Sequence, residues 1–250
     1  MSTGKQVRLN RIFSADKKAV VIAMDHGLPG VAPLAHLLKP DRLLKQVIAG
    51  GGDAILTTPG IAEMFAEQIG HLGLILRLDG GSTMMSESPG EMSLISSVED
   101  ALKLGADAVA VMGFCGTPDE STSLRTLGVV ANECRRLGVP LLAEMLPLGF
   151  SGKPDISQLA RAARVGCEMG ADIIKIKYAG PPDAYHEVIE TSFSPVLILG
   201  GGARSSADVL AEIREAISAG AAGVAIGRNV WQSDDPMEMT RSIVKAVHGS

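Results

Sequence analysis

Eight short apolar runs, each followed by a segment of helical periodicity, constrain this chain more than any other feature. The runs are "AVVIAMD" (19–25), "DAILTTP" (53–59), "LILRLDG" (74–80), "DAVAVMG" (107–113), "PLLAEML" (140–146), "DIIKIKY" (172–178), "PVLILGG" (195–201) and "GVAIGR" (223–228). Between them lie segments such as "PDRLLKQVIAG", "SLRTLGVVANECRRLG" and "SADVLAEIREAISAG", whose apolar residues recur every three or four positions. The runs are near-continuously apolar, which suits strands buried on both faces of a parallel sheet covered by helices. Several helical segments end in glycine just before the next run ("KLGAD", "RLGVP", "EMGAD", "SAGAAG"), where a left-handed C-cap penalises a Cβ. Eight such units in 250 residues predict a single α/β domain spanning 1–250, a (β/α)8 TIM barrel. An open doubly wound sheet is the structural rival. It needs no eighth strand and more often shows GxGxxG after the first, where this chain reads "MDHGLPG".

Barrels of this kind gather their active sites at the C-terminal ends of the strands. Read in order, those ends supply Asp25 and His26, Thr57 and Thr58, Arg77 and Asp79, Met112 and Gly113, Glu144 and Leu146, and Lys175 and Lys177. The last two carry Gly200-Gly201-Gly202 and Gly227-Arg228. Net charge is −5 with no basic stripe, and aromatics make up 3%, so the surface suits neither phosphate backbones nor stacked bases. No apolar run reaches the ~20 residues of a membrane span, and the N-terminus lacks the apolar core of a signal peptide. Cys115, Cys134 and Cys167 are odd in number and too far apart for a zinc ligand set, which reads as reduced thiols in a cytoplasmic protein. Met84, Met85 and Met92 in "STMMSESPGEM" read as loop packing, and Trp231 as packing at the start of the last helix.

The seventh run leads into "GGGARSS" and the eighth into "GRNVWQ". Glycines let a phosphate approach backbone N–H groups, helix N-termini favour anions, and Arg204 and Arg228 add charge-assisted donors. The plainer alternative is that these glycines only turn the chain. Two such loops at the position where barrels often hold phosphate favour binding. Lys175 and Lys177 are two apart, so they share one strand face. An apolar pocket and a neighbouring cation both lower a lysine's pKa and so make it a nucleophile. The alternative is that one or both point between helices and reach solvent.

"AMDHG", "GADIIKIKYAG", "GGG" and "GRNVWQ" stand in the order and spacing of the archaeal-type class I fructose-bisphosphate aldolase family, which the chain resembles from "RLNRIF" to its end. Relatives of that family include aminodideoxyheptulosonate synthase and a thiolase acting on phosphorylated autoinducer-2. The resemblance implies that Lys175 forms a Schiff base and that Asp25 assists proton transfers. Lys177 would lower the pKa of Lys175 and bind a substrate oxygen. Gly201, Gly202, Ala203, Arg204, Gly227 and Arg228 would hold a substrate phosphate. It also implies homo-oligomeric rings, commonly decamers. No His/Asp/Glu cluster has metal spacing, and lysine-based enolising chemistry needs no metal, so no cofactor is expected.

One departure stands out. The aldolases carry a tyrosine in a segment like Trp-Ser-Tyr-Pro-Arg-Gly, and the matching stretch here is "EMLPLG", with Glu144 in place of the tryptophan and Leu146 in place of the tyrosine. Leucine moves no proton, which leaves Glu144 or His26 to work beside Asp25. Arg77 and Asp79 read as an ion pair on one strand face. The expected function is an aldolase-type lyase acting on a phosphorylated keto sugar or related ketone phosphate. The alternatives are a thiolase or transaldolase-like transferase using the same imine, and a sugar-phosphate-binding barrel without turnover.

Overall fold

The computed structural model describes residues 2–85 and 92–249. Eight parallel strands close into one barrel: β1 Ala19–Ala23, β2 Ala54–Thr57, β3 Gly73–Arg77, β4 Ala108–Gly113, β5 Leu141–Met145, β6 Ile173–Lys177, β7 Val196–Leu199 and β8 Gly223–Ile226. Each strand pairs with its sequence neighbours, and β8 returns to β1 with Ala19 opposite Gly223 and Ile22 opposite Ile226. All eight apolar runs contain strands, most trimmed by one to three residues at their ends, while β3 begins one residue before its run, at Gly73. A helix α1, Thr3–Ile12, precedes β1. Then α2 Pro40–Ala49 follows β1, α3 Pro59–Met64 and α4 Ala66–Ile69 follow β2, α5 Val98–Lys103 follows β3, and α6 Glu120–Leu137 follows β4. Finally α7 Ile156–Glu168, α8 Pro182–Thr191 and α9 Ser206–Ser218 follow β5 to β7, and α10 Arg228–Trp231 with α11 Pro236–His248 follow β8. The glycine that ends α6, Gly138, is left-handed at φ 67°, as its place before β5 predicts.

Alternation along the strands sorts side chains into two layers. Ala19, Val21, Ala23, Leu56, Ile75, Ala110, Leu142, Ile173, Leu197 and Ala225 fill the barrel interior, while Val20, Ile22, Ile55, Leu76, Val109, Ile174 and Ile198 face the helices. Small alanines on several strands leave room inside for larger side chains at the C-terminal mouth. Helix α1 carries no signal that the strand pattern reveals, yet Leu9 and Ile12 join the interior cluster and stop its N-terminal end. Three aspartates brace that end. Asp53, Asp107 and Asp172 stand just before β2, β4 and β6 and accept the backbone N–H of Val20, Leu74 and Leu141 at 2.7, 3.1 and 2.9 Å. Helix α1 pairs with two of them, through Lys5 Nζ to Asp172 at 2.6 Å and Arg11 to Asp107 at 2.9 Å. The floor is thereby fixed, and chemistry is left to the opposite end.

A short antiparallel ribbon, Asp79–Gly80 with Ser93–Leu94, extends beyond β3 at the mouth. Met84 and Met85 are 73% and 81% exposed, so they do not pack the loop as expected from sequence; residues 86–91 of that stretch lie outside the described residues. No helix among the described residues is long and apolar enough to cross a membrane.

Candidate active site

Lys175, Glu144 and Arg77 extend from β6, β5 and β3 on the interior face and are all buried at the mouth. The register sets Glu144 directly beside Lys175 on the neighbouring strand. Lys175 Nζ is 2.8 Å from Glu144 Oε1. The other oxygen of Glu144 accepts from Arg77 Nη2. Arg77 Nε donates to Asp25 Oδ2 at 3.0 Å and its Nη1 to Asp79 Oδ1 at 3.2 Å. Asp79 Oδ2 in turn accepts the Met112 N–H at 2.7 Å.

Burial would push the carboxyls of Asp25 and Glu144 upward, but neighbouring cations reverse the sign. Arg77 and Lys175 hold Asp25, which also has His26 beside it, far below the usual carboxylate range; Lys175 and Arg77 hold Glu144 below it. Asp79 keeps the upward direction that its burial gives, despite Arg77 and Met112. Glu144 is thus an ionised acceptor at hydrogen-bond distance from the amine that would react, the geometry a general base requires.

A cavity of about 60 Å³ opens beside this pair, lined by Ala23, His26, Glu144, Lys175, Leu199, Gly200, Gly201, Ala225, Gly227 and Arg228. The glycine loops and the lysine therefore share one space. Gly201 has φ +63° and open space within 4 Å of where a Cβ would stand, so its backbone is accessible to a ligand; a side chain at Gly227 would strike Ala23 O and His26 at 2.6 Å. Arg228 Nε is buried without a partner among the described residues, as is His26 Nδ1. His26 Nδ1 lies 3.3 Å from Asp25 Oδ1, outside hydrogen-bonding geometry, and its ring meets Trp231 edge-on at 5.4 Å. Trp231 is in α10, fully buried, and donates its indole N–H to Ala23 O at 3.1 Å. It thus packs the β1 end and His26 as well as the approach to the last helix. The larger cavity, about 440 Å³, is at the opposite end of β3 among Arg11, His71, Leu74 and Asp107, away from these groups.

Five site residues singled out from sequence, Lys177, Gly202, Ala203, Arg204 and Asp25, do not line the cavity. Lys177 donates to Gly152 O at 2.8 Å in the loop after β5, so its ammonium serves that loop and Glu144 takes the place beside Lys175. Arg204 makes a two-armed pair with Glu212 at 2.6 and 2.8 Å, and neither it nor Gly202 or Ala203 lines the cavity. Asp25 stands behind the lining, on Arg77. Leu146 is buried where the resemblance expects a phenol.

The sequence conceals the partners of two buried polar residues beside the cavity. Arg77 reads there as one half of an ion pair with Asp79, although a lone arginine inside an apolar strand already signals several acidic partners. Asn229 is 5% exposed and crosslinks the glycine loops, donating Nδ2 to Gly200 O at 2.7 Å and accepting the Arg204 N–H at 2.9 Å. Its only sequence signal is its place immediately after Gly227-Arg228.

The DeoC/LacD family aldolase pattern matches residues 19–233. The chain is 37% identical over 246 residues to the 2-amino-3,7-dideoxy-D-threo-hept-6-ulosonate synthase of Halobacterium salinarum, covering 98% of this chain and 92% of that one. It is 35% identical over 248 residues to synthase 1 of the same name from Archaeoglobus fulgidus, covering 99% and 92%. Among solved structures, an archaeal fructose-1,6-bisphosphate aldolase with its catalytic lysine bound to the carbinolamine intermediate superposes with a TM-score of 0.89 at 30% identity, covering 98% of this chain and all of that one.

Proposed function

The chain belongs to the DeoC/LacD family of aldolases and is a class I, Schiff-base-forming aldolase-type enzyme; from that premise we propose that Lys175 is the imine-forming residue and that the substrate is a ketone phosphate. The observation that carries this reading is the 2.8 Å contact of Lys175 Nζ with Glu144 Oε1 at the wall of a cavity that also contains Gly201, Gly227 and Arg228.

Glu144 takes a proton from the Lys175 ammonium, and the free amine adds to the substrate carbonyl to give a carbinolamine. Protonation of its hydroxyl and loss of water leave an iminium. The β-hydroxyl of the substrate then gives up its proton, its oxygen closes to a carbonyl, and the bond between the α and β carbons breaks. The electron pair of that bond moves onto the iminium as an enamine, which is protonated at carbon and hydrolysed to free the lysine. Run backwards, the same steps build the bond. Glu144 and His26 line the cavity and carry these protons; Asp25 stands behind them, ionised on Arg77 and adjacent to His26. Arg228 Nε, buried with no partner among the described residues, supports a phosphate held between Gly201 and Gly227.

Transferase outcome is the second reading. Leu146 supplies no phenol, and the two synthases named above form a link between this sequence and chemistry other than fructose-bisphosphate cleavage. A cytoplasmic setting and self-association complete the proposal, supported by three free thiols and by the exposed apolar side chains Met84, Met85, Phe150 and Phe193. Borohydride reduction in the presence of a panel of ketose phosphates, read by mass spectrometry, tests the assignment. An adduct on Lys175 is expected. An adduct on Lys177, or none with any phosphorylated ketone that demonstrably binds, overturns it.

A further inference from the structure

Arg77 is 1% exposed, among the most buried large side chains of the molecule. A cation so far from water persists only when carboxylates surround it. Among the described residues it has three: Asp25 from the end of β1, Asp79 from the ribbon beyond β3, and Glu144 from β5. Neither Arg77 nor Asp79 lines the cavity, so neither is placed to touch substrate. Asp79 is itself tied to the backbone of β4 through Met112, which makes it an anchor for the guanidinium.

We propose that Arg77 is the positioning residue for the proton-transfer step, acting through Glu144; the inference rests on the reading of Lys175 and Glu144 given above. Anchored by Asp79, the guanidinium holds Oε2 of Glu144 so that Oε1 alone faces Lys175. The proton leaving Lys175 then has one acceptor oxygen, already in line. Charge in the ring does not change at that step. Three carboxylates and two cations, net −1, become two carboxylates and one cation, net −1 again, with Glu144 and Lys175 both neutral. Arginine keeps its own proton throughout, so the contact that orients Glu144 survives the cycle. Lysine offers a point charge instead of a planar fork and cannot span three carboxylates from three strands.

The test compares Arg77→Lys, Glu144→Gln, the double variant and Asp79→Asn with the unaltered enzyme. The readouts are the pH dependence of the trapping rate at Lys175, affinity for a phosphorylated ligand, and carboxyl titration by carbon NMR. For Arg77→Lys, ligand affinity should hold, because Arg228 is untouched, while imine formation slows tenfold or more. Its acid limb should move up, by less than the roughly 1–3 pH units that removing an adjacent guanidinium would cause, because lysine keeps a charge but loses the contact with Oε2 of Glu144. On the Glu144→Gln background the same change should cost less than threefold. Asp79→Asn should slow imine formation at all pH values without raising the acid limb, since it removes an anchor and a negative charge together.

An unmoved acid limb in Arg77→Lys, or a loss that multiplies fully on the Glu144→Gln background, makes Arg77 a structural brace and overturns the proposal. If Arg77→Lys does not fold, Asp79→Asn decides: full-rate imine formation there overturns it. Failure of the underlying reading looks different. The unaltered enzyme then gives no adduct at Lys175, whereas the carboxyl titration still reports the charge that Arg77 imposes.

Discussion

Lys175 and Glu144 face each other across neighbouring strands with 2.8 Å between Nζ and Oε1, a register pair turned into an ion pair. The amine has an ionised acceptor beside it, and the same carboxylate is held from behind by Arg77.

Glu144→Gln should therefore slow imine formation as well as turnover. A positioned general base contributes typically ~10²–10⁴-fold, so the loss should be of that order. Rapid-quench borohydride trapping measures it directly, and an unchanged trapping rate would remove Glu144 from the step.

Arg228→Ala should weaken phosphorylated ligands by about 1.5–3 kcal/mol, the worth of a hydrogen bond to a charged group, or roughly ten- to 150-fold in Kd. Dephosphorylated analogues should be unaffected. Arg204→Ala should change affinity by less than threefold, because Glu212 already occupies its guanidinium. Equal losses in the two variants would contradict this division.

Asn229→Ala should act like a weaker Arg228 variant without touching ligand. It removes the crosslink from Gly200 O to the Arg204 N–H and leaves both groups to find new partners, at about 1–3 kcal/mol of stability if they stay dry. Calorimetric titration with a phosphorylated ligand beside a thermal melt separates the two effects. Full stability with full affinity would show that the loops hold themselves.

Acid should destabilise this barrel from the mouth. Asp25 and Glu144 have folded-state pKa values below their usual ones, so the unfolded chain binds more protons as pH falls. Their stabilisation is complete above about pH 5 and is lost as pH drops through the folded values. Asp79 runs the other way, since its raised pKa relieves a cost on acidification. Thermal melts from pH 7 to 3 should show Tm falling below pH 5, with a shallower fall in Glu144→Gln. Parallel curves would contradict the assignment.

At the floor, Lys5→Ala should cost more than Arg11→Ala. Lys5 and Asp172 are both 11% exposed, so removing the lysine strands a nearly buried carboxylate, a loss bounded by about 3–5 kcal/mol and eased by the Leu141 N–H. Arg11 is 62% exposed, and its pair should be worth about 1 kcal/mol or less. Denaturant midpoints would show a reversed order if α1 were held chiefly by Arg11.

Alternation and periodicity determined the barrel from the sequence alone, because a strand buried on both faces and a helix buried on one leave different apolar spacings in the chain. Lys175, Glu144, Asp25 and the glycine loops were legible for the same reason, as polar interruptions or turns at strand ends. Partners were not legible. Whether Glu144 or Lys177 sits against Lys175, whether Arg228 or Arg204 opens into the cavity, and that Arg77 gathers carboxylates from three strands all depend on barrel closure and stagger. Helix α1 was equally silent, since its burial against the barrel floor needs only Leu9 and Ile12. Local spacing fixes which face a side chain takes, whereas the distance between charges on different strands exists only once the sheet has closed. Electrostatic energy in a dry interior varies with that distance, and so tertiary structure decided the chemistry.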